Sequence, residues 1–452
     1  MDELTAANPG DNRMSGAASG SADSRRNHDL ERIVLDELKW SISGFAKRIR
    51  EHCAAGGQPR SVSTSTVSRW CAGAQPGPEL AAAACYVLTR ACKRRVTPES
   101  LGWPSEEAGV AEQALHYGDL SHAVRMLQRL WQMDAVPKSA AVRRMPFAAT
   151  PSSVEALVML PDTSITGPGQ RLVTAADIEL LDAHTDLYGR TDARHGGGQF
   201  RSVFAAFLAA HAVPLLEGKY NAGRGRLLFG SVADAVLALA SMAYDDQLPG
   251  LAQRYDLQAM RLAQAIGDRG RLARGCIHQA RLAAVRGDGR EVLTHARSAV
   301  VAAMGAPALV RAYVAVTEAR AWAYNGDGPQ CLAAVERARV AFVRAGRGSD
   351  PRWLAWLDRP ELEGQAAWAL AMAGLAEEGE QALKVAMGLP PERTRDSVEL
   401  LITGAELARL RGDGAAWEES LAKARSAAQH LKSRRLARRL ADAAAGGPLH
   451  DF

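Results

Sequence analysis

Aromatic residues make up only 6% of this 452-residue chain, although 47% of it is hydrophobic. Its apolar mass is therefore mostly Ala, Leu and Val, which favours closely packed helices over a sheet rich in aromatic and β-branched side chains. Cysteine is scarce. Cys53, Cys71, Cys85, Cys92, Cys276 and Cys331 contain no C-x-x-C pair, which excludes a disulfide scaffold and leads us to expect reduced thiols. No apolar run approaches 18 residues, so no transmembrane helix is expected. The first 29 residues hold no apolar stretch, so no secretory leader is expected either. Lysine is rare, at 8 residues against 47 arginines, and with the abundance of Ala and Gly this points to a GC-rich genome. Glycine (41) and proline (20) are near ordinary usage, which excludes a collagen-like or wholly disordered chain.

Catalytic signatures are missing as well. There is no H-E-x-x-H, and no Cys/His spacing suits zinc. Gly223 and Gly225 form a Gly-x-Gly without the third glycine of a dinucleotide loop. His195-Gly196-Gly197-Gly198 resembles an esterase oxyanion loop, but no G-x-S-x-G elbow accompanies it, and it reads as a turn. No enzyme activity, metal or cofactor is expected.

The charge that is present is local. Residues 39–95 hold ten basic residues (Lys39, Lys47, Arg48, Arg50, Arg60, Arg69, Arg90, Lys93, Arg94, Arg95) against Glu51 and Glu79, a balance of +8. The whole chain is +5, so the remainder sums to −3. Charge alone leaves two readings open, phosphate contact or a solvated basic face. Residues 1–28 have the composition of a disordered tail. A helical pattern then starts with Leu30, Ile33, Val34 and Leu38. Ser41 offers a cap for a second helix through Phe45, Ala46 and Ile49 to about His52, and a Gly56-Gly57-x-Pro59 loop follows. Ser63 is placed to cap a short third helix stopped by Gly73 and Pro76, and Pro78 opens a fourth.

Small Ala46, with Phe45, Ile49, Val62, Val67 and Trp70 as core, fits a helix-turn-helix. Its second helix would expose Thr64, Ser65, Ser68 and Arg69, side chains suited to base edges and phosphates in a major groove. Residues 62–76, VSTSTVSRWCAGAQP, and residues 96–103, VTPESLGW, resemble the Xre-type (lambda-repressor-like) helix-turn-helix of actinobacterial regulators. Ile42 stands where that family usually has Gln, Cys71 stands where an acid is common, and the inter-helix loop is about ten residues longer. The resemblance implies DNA contact by Lys47, Arg48, Arg60, Ser63, Thr64, Ser65, Thr66, Ser68 and Arg69. It also implies a homodimer on a double-stranded operator, and a repressor of secondary-metabolism, differentiation or mobile-element genes in the cytoplasm, associated with the nucleoid.

Beyond residue 232 the chain repeats. Turn-like points occur at Gly287, Gly326, Gly374 and Gly412, and Gln247 fits a fifth. Seven residues before these stand Ala240, Ala280, Ala319, Ala367 and Ala405, and twelve after them Ala259, Ala299, Ala338, Ala386 and Ala424. Four before, the side chain is always apolar (Ala243, Ala283, Trp322, Leu370, Ala408). Nine after, it is apolar except at Asp256 (Ala296, Val335, Leu383, Leu421). This resembles degenerate tetratricopeptide repeats, two antiparallel helices per unit. Residues 251–263, LAQRYDLQAMRLA, and 192–198, DARHGGG, also resemble the sensor region of the same regulators.

The expected architecture is all-α: a tail (1–28), a helix-turn-helix domain (29–105), a helical linker or dimerisation region (106–231) with a flexible or strand-like interruption at 151–170, and an α-solenoid of tetratricopeptide-like pairs (232–445). The register places Ser241, Arg281, Arg320, Trp368 and Glu406 on the inner wall. Tyr244, Asp245, Arg274, His278, Thr317, Tyr324, Gln365 and Thr403 flank them. From these we expect an effector groove of Tyr244, Arg274, His278, Arg281, Thr317, Arg320, Tyr324, Gln365, Trp368 and Glu406, taking a small molecule or a peptide through carboxylate or phosphate. The bland alternative is solvated polar faces or intra-repeat ion pairs. The basic run Lys432, Arg434, Arg435, Arg438 and Arg439 reads as the solvated face of a capping helix, with contact to DNA phosphate as the alternative. The function expected is a DNA-binding transcriptional regulator with an effector-binding body and no membrane contact. The alternative is a repeat scaffold whose helix-turn-helix does not read DNA.

Overall fold

The computed structural model describes residues 26–55, 59–103, 106–148, 156–157, 162, 165–346, 350–390 and 392–447. The expected tail over residues 1–25, the Gly56-Gly57 loop tip and most of the 151–170 interruption lie outside the described residues. The fold is all-α. Its described strands are the two-residue Gly167–Pro168 and Lys219–Tyr220, paired antiparallel. The chain divides into two compact units, residues 1–109 and 110–452.

The first unit starts earlier than expected. Asn27 caps α1 (His28–Glu31) by accepting from the Leu30 amide, and donates its amide to the Leu101 carbonyl at 2.7 Å. Asn27 and His28 are thus part of the fold rather than of the tail. A π-turn (Arg32–Glu37) continues α1, then α2 (Ile42–Ala55), α3 (Thr64–Cys71) and α4 (Pro78–Cys92) follow. Ser41 and Ser63 cap as expected, accepting from the Gly44 and Thr66 amides at 3.1 Å. Leu30, Ile33, Val34, Phe45, Ala46, Ile49, Val67 and Trp70 fill one core with Leu88 and Trp103.

α5 (Glu106–Gln113) straddles the division, and the second unit continues with α6 (Leu120–Asp134), α7 (Ala140–Arg143), α8 (Ala175–His195) and α9 (Arg201–Leu216). Five helix pairs follow. They are α10 (Ala222–Asp245) with α11 (Pro249–Ala265), α12 (Arg269–Val285) with α13 (Gly289–Ala302), and α14 (Ala308–Tyr324) with α15 (Gly328–Val343). Then come α16 (Arg359–Met372) with α17 (Ala376–Ala386), and α18 (Thr394–Leu410) with α19 (Gly414–Ala428); α20 (Arg434–Ala444) ends the array. The boundary expected between 231 and 232 falls inside α10. Residues from Val110 to Leu282 share one core, so the described part of 110–231 packs with the first helix pairs of this body. By length and composition α10 is apolar enough to cross a membrane, a feature the run-length reading missed, and 78% of its most apolar window is buried in the fold.

The repeat signature has a backbone cause. Gln247, Gly287, Gly326, Gly374 and Gly412 all have φ between +56° and +76°. Each donates its N–H three residues back, and the next residue donates to the carbonyl five back: Asp288 to Ala283, Asp327 to Trp322, Leu375 to Leu370, Asp413 to Ala408 and Leu248 to Ala243. This is the Schellman stop, and the apolar residue four before the turn is its carbonyl acceptor. Asp288, Asp327 and Asp413 then cap the next helix. All ten offset alanines are buried, where neighbouring backbones approach. Gln247 pays a left-handed penalty that glycine escapes. Gln247→Gly is expected to raise the stability of the second unit by roughly 0.5–1 kcal/mol, and Gly287→Ala to lower it by a similar amount, read by urea unfolding.

Candidate functional site

On α3 the side chains sort by periodicity. Val67, Trp70 and Cys71 turn inward, while Thr64, Ser65, Ser68 and Arg69 face solvent and Thr66 is half-buried. The hydroxyls are not equally free. Ser63 Oγ lies 2.8 Å from Ser65 Oγ and 2.9 Å from Thr66 Oγ1, so these three satisfy one another. Thr64, Ser68 and Arg69 keep their polar ends open, and Arg69 has no side-chain partner among the described residues. The other expected cations are engaged at home. Lys47 pairs with Glu51 at 3.8 Å, Arg60 pairs with Glu79, and the Arg48 guanidinium stacks 4.1 Å over the Trp40 ring. Exposed pairs of this kind are worth at most about 1 kcal/mol, so a phosphate can exchange for them. Lys39, Lys93 and Arg95 are exposed with no partner among the described residues. They were counted in the local charge but not singled out as contacts, because pairing is not visible in composition.

The inner wall of the second unit differs from expectation, for it is filled rather than open. α20 packs against α10, α18 and α19, bridging the first and last pairs. Its Arg439 guanidinium sits 3.5 Å over the Trp368 ring, and Arg435 lies 5.6 Å over Tyr244. Both reach Glu399. So Arg435 and Arg439 point inward, and Lys432, Arg434 and Arg438 of the basic run face water. From the other side, Asp192 on α8 pairs with Arg395, and the Lys432 amide donates to the His195 carbonyl at 2.7 Å. Gly196, with φ +85°, makes the close turn at which this happens, and a Cβ there would overlap the Lys432 backbone. The turn reading of residues 195–198 therefore holds.

Most expected groove residues are consumed in this closure. His278, Thr317, Arg320, Trp368 and Glu406 are buried. Thr317 donates back to the Tyr313 carbonyl at 3.0 Å, Tyr324 to the Ala284 carbonyl at 3.2 Å, and Gln365 to Glu361 at 2.9 Å. Glu406 pairs with Arg409 at 2.6 Å, and Arg274 lies 3.8 Å from Asp234. Ser241, Tyr244, Asp256, His278 and Arg281 do converge, but on a space of only about 10 Å³, room for a single water. Arg281 reaches the Tyr313 hydroxyl at 3.4 Å. At these residues the wall leaves room for a water and not for a small molecule or peptide, and α20 packs over its first and last pairs. Asp256, the apolar exception in the repeat pattern, hydrogen-bonds His278 Nδ1 at 2.8 Å. Burial drives the Asp256 carboxyl well up and the His278 imidazole well down, toward the uncharged form of each, with Arg281 and Arg274 favouring the carboxylate and disfavouring the imidazolium.

A second polar cluster went unnoticed in the sequence. Residues 251–263 look amphipathic by charge, yet Gln253, Arg254, Asp256, Gln258 and Arg261 on α11 are all buried. All but Asp256 bind backbone from the preceding segment. Arg254 donates to the carbonyls of Ala111 (2.5 Å) and Pro146 (2.7 Å), Gln258 to that of Ala114 (2.8 Å), and Arg261 to that of Gly118 (2.8 Å). Tyr255 donates to Asp134, which also pairs with Arg201. Gly250 lets the Met145 carbonyl come against the helix.

Glu361 supplies a pH response. It accepts from Gln365 and pairs with Arg393. Burial and the neighbouring Asp396 charge push its pKa up to about 7, against the pull of Arg393. The folded state therefore binds a proton that the unfolded chain releases near its ordinary 4.5. Stability from this group is full below that value and is lost as pH rises toward 7. Thermal unfolding midpoints are expected to fall between pH 5 and 8, and Glu361→Gln is expected to flatten that slope.

Comparison with known families gives one match, in which residues 32–104 are similar to the SP15 N-terminal domain. The match spans the first unit and none of the repeat body. No curated protein and no solved structure is detectably similar to the chain.

Proposed function

We propose that the protein is a sequence-specific DNA-binding transcriptional regulator, acting as a cytoplasmic homodimer on the nucleoid, with residues 26–109 as the DNA reader and the helical-pair body as the effector-receiving part. The observation that carries this reading is the outward face of α3. Thr64, Ser68 and an unpaired Arg69 stand opposite buried Val67 and Trp70. That is the arrangement in which a short helix presents hydrogen-bonding tips to a major groove while its other face packs. The unpaired Lys39, Lys93 and Arg95 add phosphate-seeking charge on the same small unit. Among the described residues no three His, Cys, Asp or Glu side chains gather as a metal site.

A gel-shift series with DNA upstream of the protein's own gene tests this. Binding is expected to be sequence-selective and to weaken steeply with salt. Arg69→Ala is expected to cost tenfold to a hundredfold in affinity, about 1–3 kcal/mol, with an unchanged circular dichroism spectrum. Absence of binding at low salt, or binding without sequence preference, would refute the reader role. It would favour the scaffold alternative, to which the mutually bonded Ser63, Ser65 and Thr66 already lend some weight.

A further inference from the structure

The roomiest concavity described on the body lies away from the inner wall. On α14, Tyr313, Thr317, Arg320 and Tyr324 share the inward side. Arg311, Val314, Ala315 and Glu318 follow the i, i+3, i+4, i+7 rule on the other side. There a cleft of about 510 Å³ opens between α13, α14 and α15. This lies within the roughly 300–1,000 Å³ of small-molecule sites. Its floor is Val314 and Ala315, and its walls include Met304 and Val340, which stand 65% and 53% exposed. Apolar side chains of that size left in water around one concavity mark a surface that something covers.

The charges at the mouth are unequal. Glu318 is neutralised by Arg337 at 2.8 Å, and Glu336 by Arg339 at 2.6 Å. Arg311 and Arg344 line the same cleft, are exposed, and have no side-chain partner among the described residues. The cleft is therefore apolar inside with two uncompensated guanidinium groups at its rim. A two-fold contact with a second copy would bring this patch against itself and place like charges together, which disfavours that occupant.

We propose that this cleft binds an amphiphilic organic anion, with its apolar body between α13, α14 and α15 and its single anionic head held by Arg311 and Arg344. The site rests on the second unit alone. It is measured without DNA, so its failure and the failure of the DNA-reader proposal are separate results.

The test uses the full chain and calorimetric titration with dodecanoate and dodecyltrimethylammonium, each below its micellar concentration, and with dodecanol below its solubility limit. Dodecanoate is expected to bind one to one, dodecanol at least tenfold more weakly, and the cation not at all. Arg311→Gln combined with Arg344→Gln is expected to weaken dodecanoate at least tenfold while leaving dodecanol unchanged. Ala315→Trp, which fills the floor, is expected to abolish both. Should that variant not fold, Met304→Glu on the exposed wall replaces it and is expected to exclude dodecanoate by charge. Equal dodecanoate affinity in the Arg311/Arg344 double variant would overturn the proposal. So would binding that survives both Ala315→Trp and Met304→Glu, or a sedimenting dimer that Val340→Glu dissociates.

Discussion

Replacing Trp70 with alanine is expected to unfold the N-terminal unit while the repeat body stays intact. Trp70 is 3% exposed, and its ring meets Trp103 edge-on with centroids 5.6 Å apart. It joins α3 to the segment that closes the unit near residue 103. Removing a buried tryptophan leaves a cavity and costs about 3–5 kcal/mol. A domain of this size has on the order of 4–11 kcal/mol to lose. The unit should therefore populate unfolded forms at room temperature and lose DNA binding altogether. The measurement is a two-transition denaturation profile: the first transition moves to much lower denaturant and the second stays in place. This separates a packing residue from a contact residue, since Arg69→Ala should leave both transitions where they are. An unmoved first transition in Trp70→Ala would mean that Trp70 does not hold the unit together.

Arg254→Leu is expected to be the most damaging single change in the body. Arg254 is fully buried, has no carboxylate beside it, and is spent on the carbonyls of Ala111, Pro146 and Gly250. Burial lowers its pKa to about 10, so at neutral pH it remains a charged donor. Leucine fills similar volume but takes this donor from the Ala111 and Pro146 carbonyls, while the Gly250 carbonyl keeps its helical N–H partner. At about 1–3 kcal/mol for each unsatisfied buried group, the loss is on the order of 3–5 kcal/mol. Hydrogen exchange is the informative readout, because the amides of α6 and α7 should lose protection before those of α14 to α19. A uniform loss across the body would refute the idea that Arg254 acts as a local fastener.

The repeat register was legible because its causes are local. A left-handed residue at each turn, its two stop hydrogen bonds and a small residue at each crossing leave marks at fixed spacing. These hold even at Gln247, where the side chain is wrong but the φ is right. The caps Ser41 and Ser63 and the inward Val67 and Trp70 were legible for the same reason. The contact list on the first unit was only partly legible. Lys47, Arg48 and Arg60 look like free cations until Glu51, Trp40 and Glu79 are found beside them. The inner-wall residues stand on the helix faces expected of them, but which of them are buried is not visible in their spacing. Nothing in the spacing of Arg435 and Arg439 says that they fold back over Tyr244 and Trp368.

By itself, then, the sequence determined an all-α chain, the start and stop of its repeat helices, their pairing, and which face of each carries alanine. These follow from hydrogen bonds and steric limits that span a few residues. Tertiary structure alone decided that α11 buries its arginines and glutamines, that α20 closes the inner wall, and that the accessible apolar cleft lies on the opposite side of α14. Whether a polar side chain sits in water or in the core depends on which distant backbone arrives to bond it, and that information is spread over segments more than a hundred residues apart.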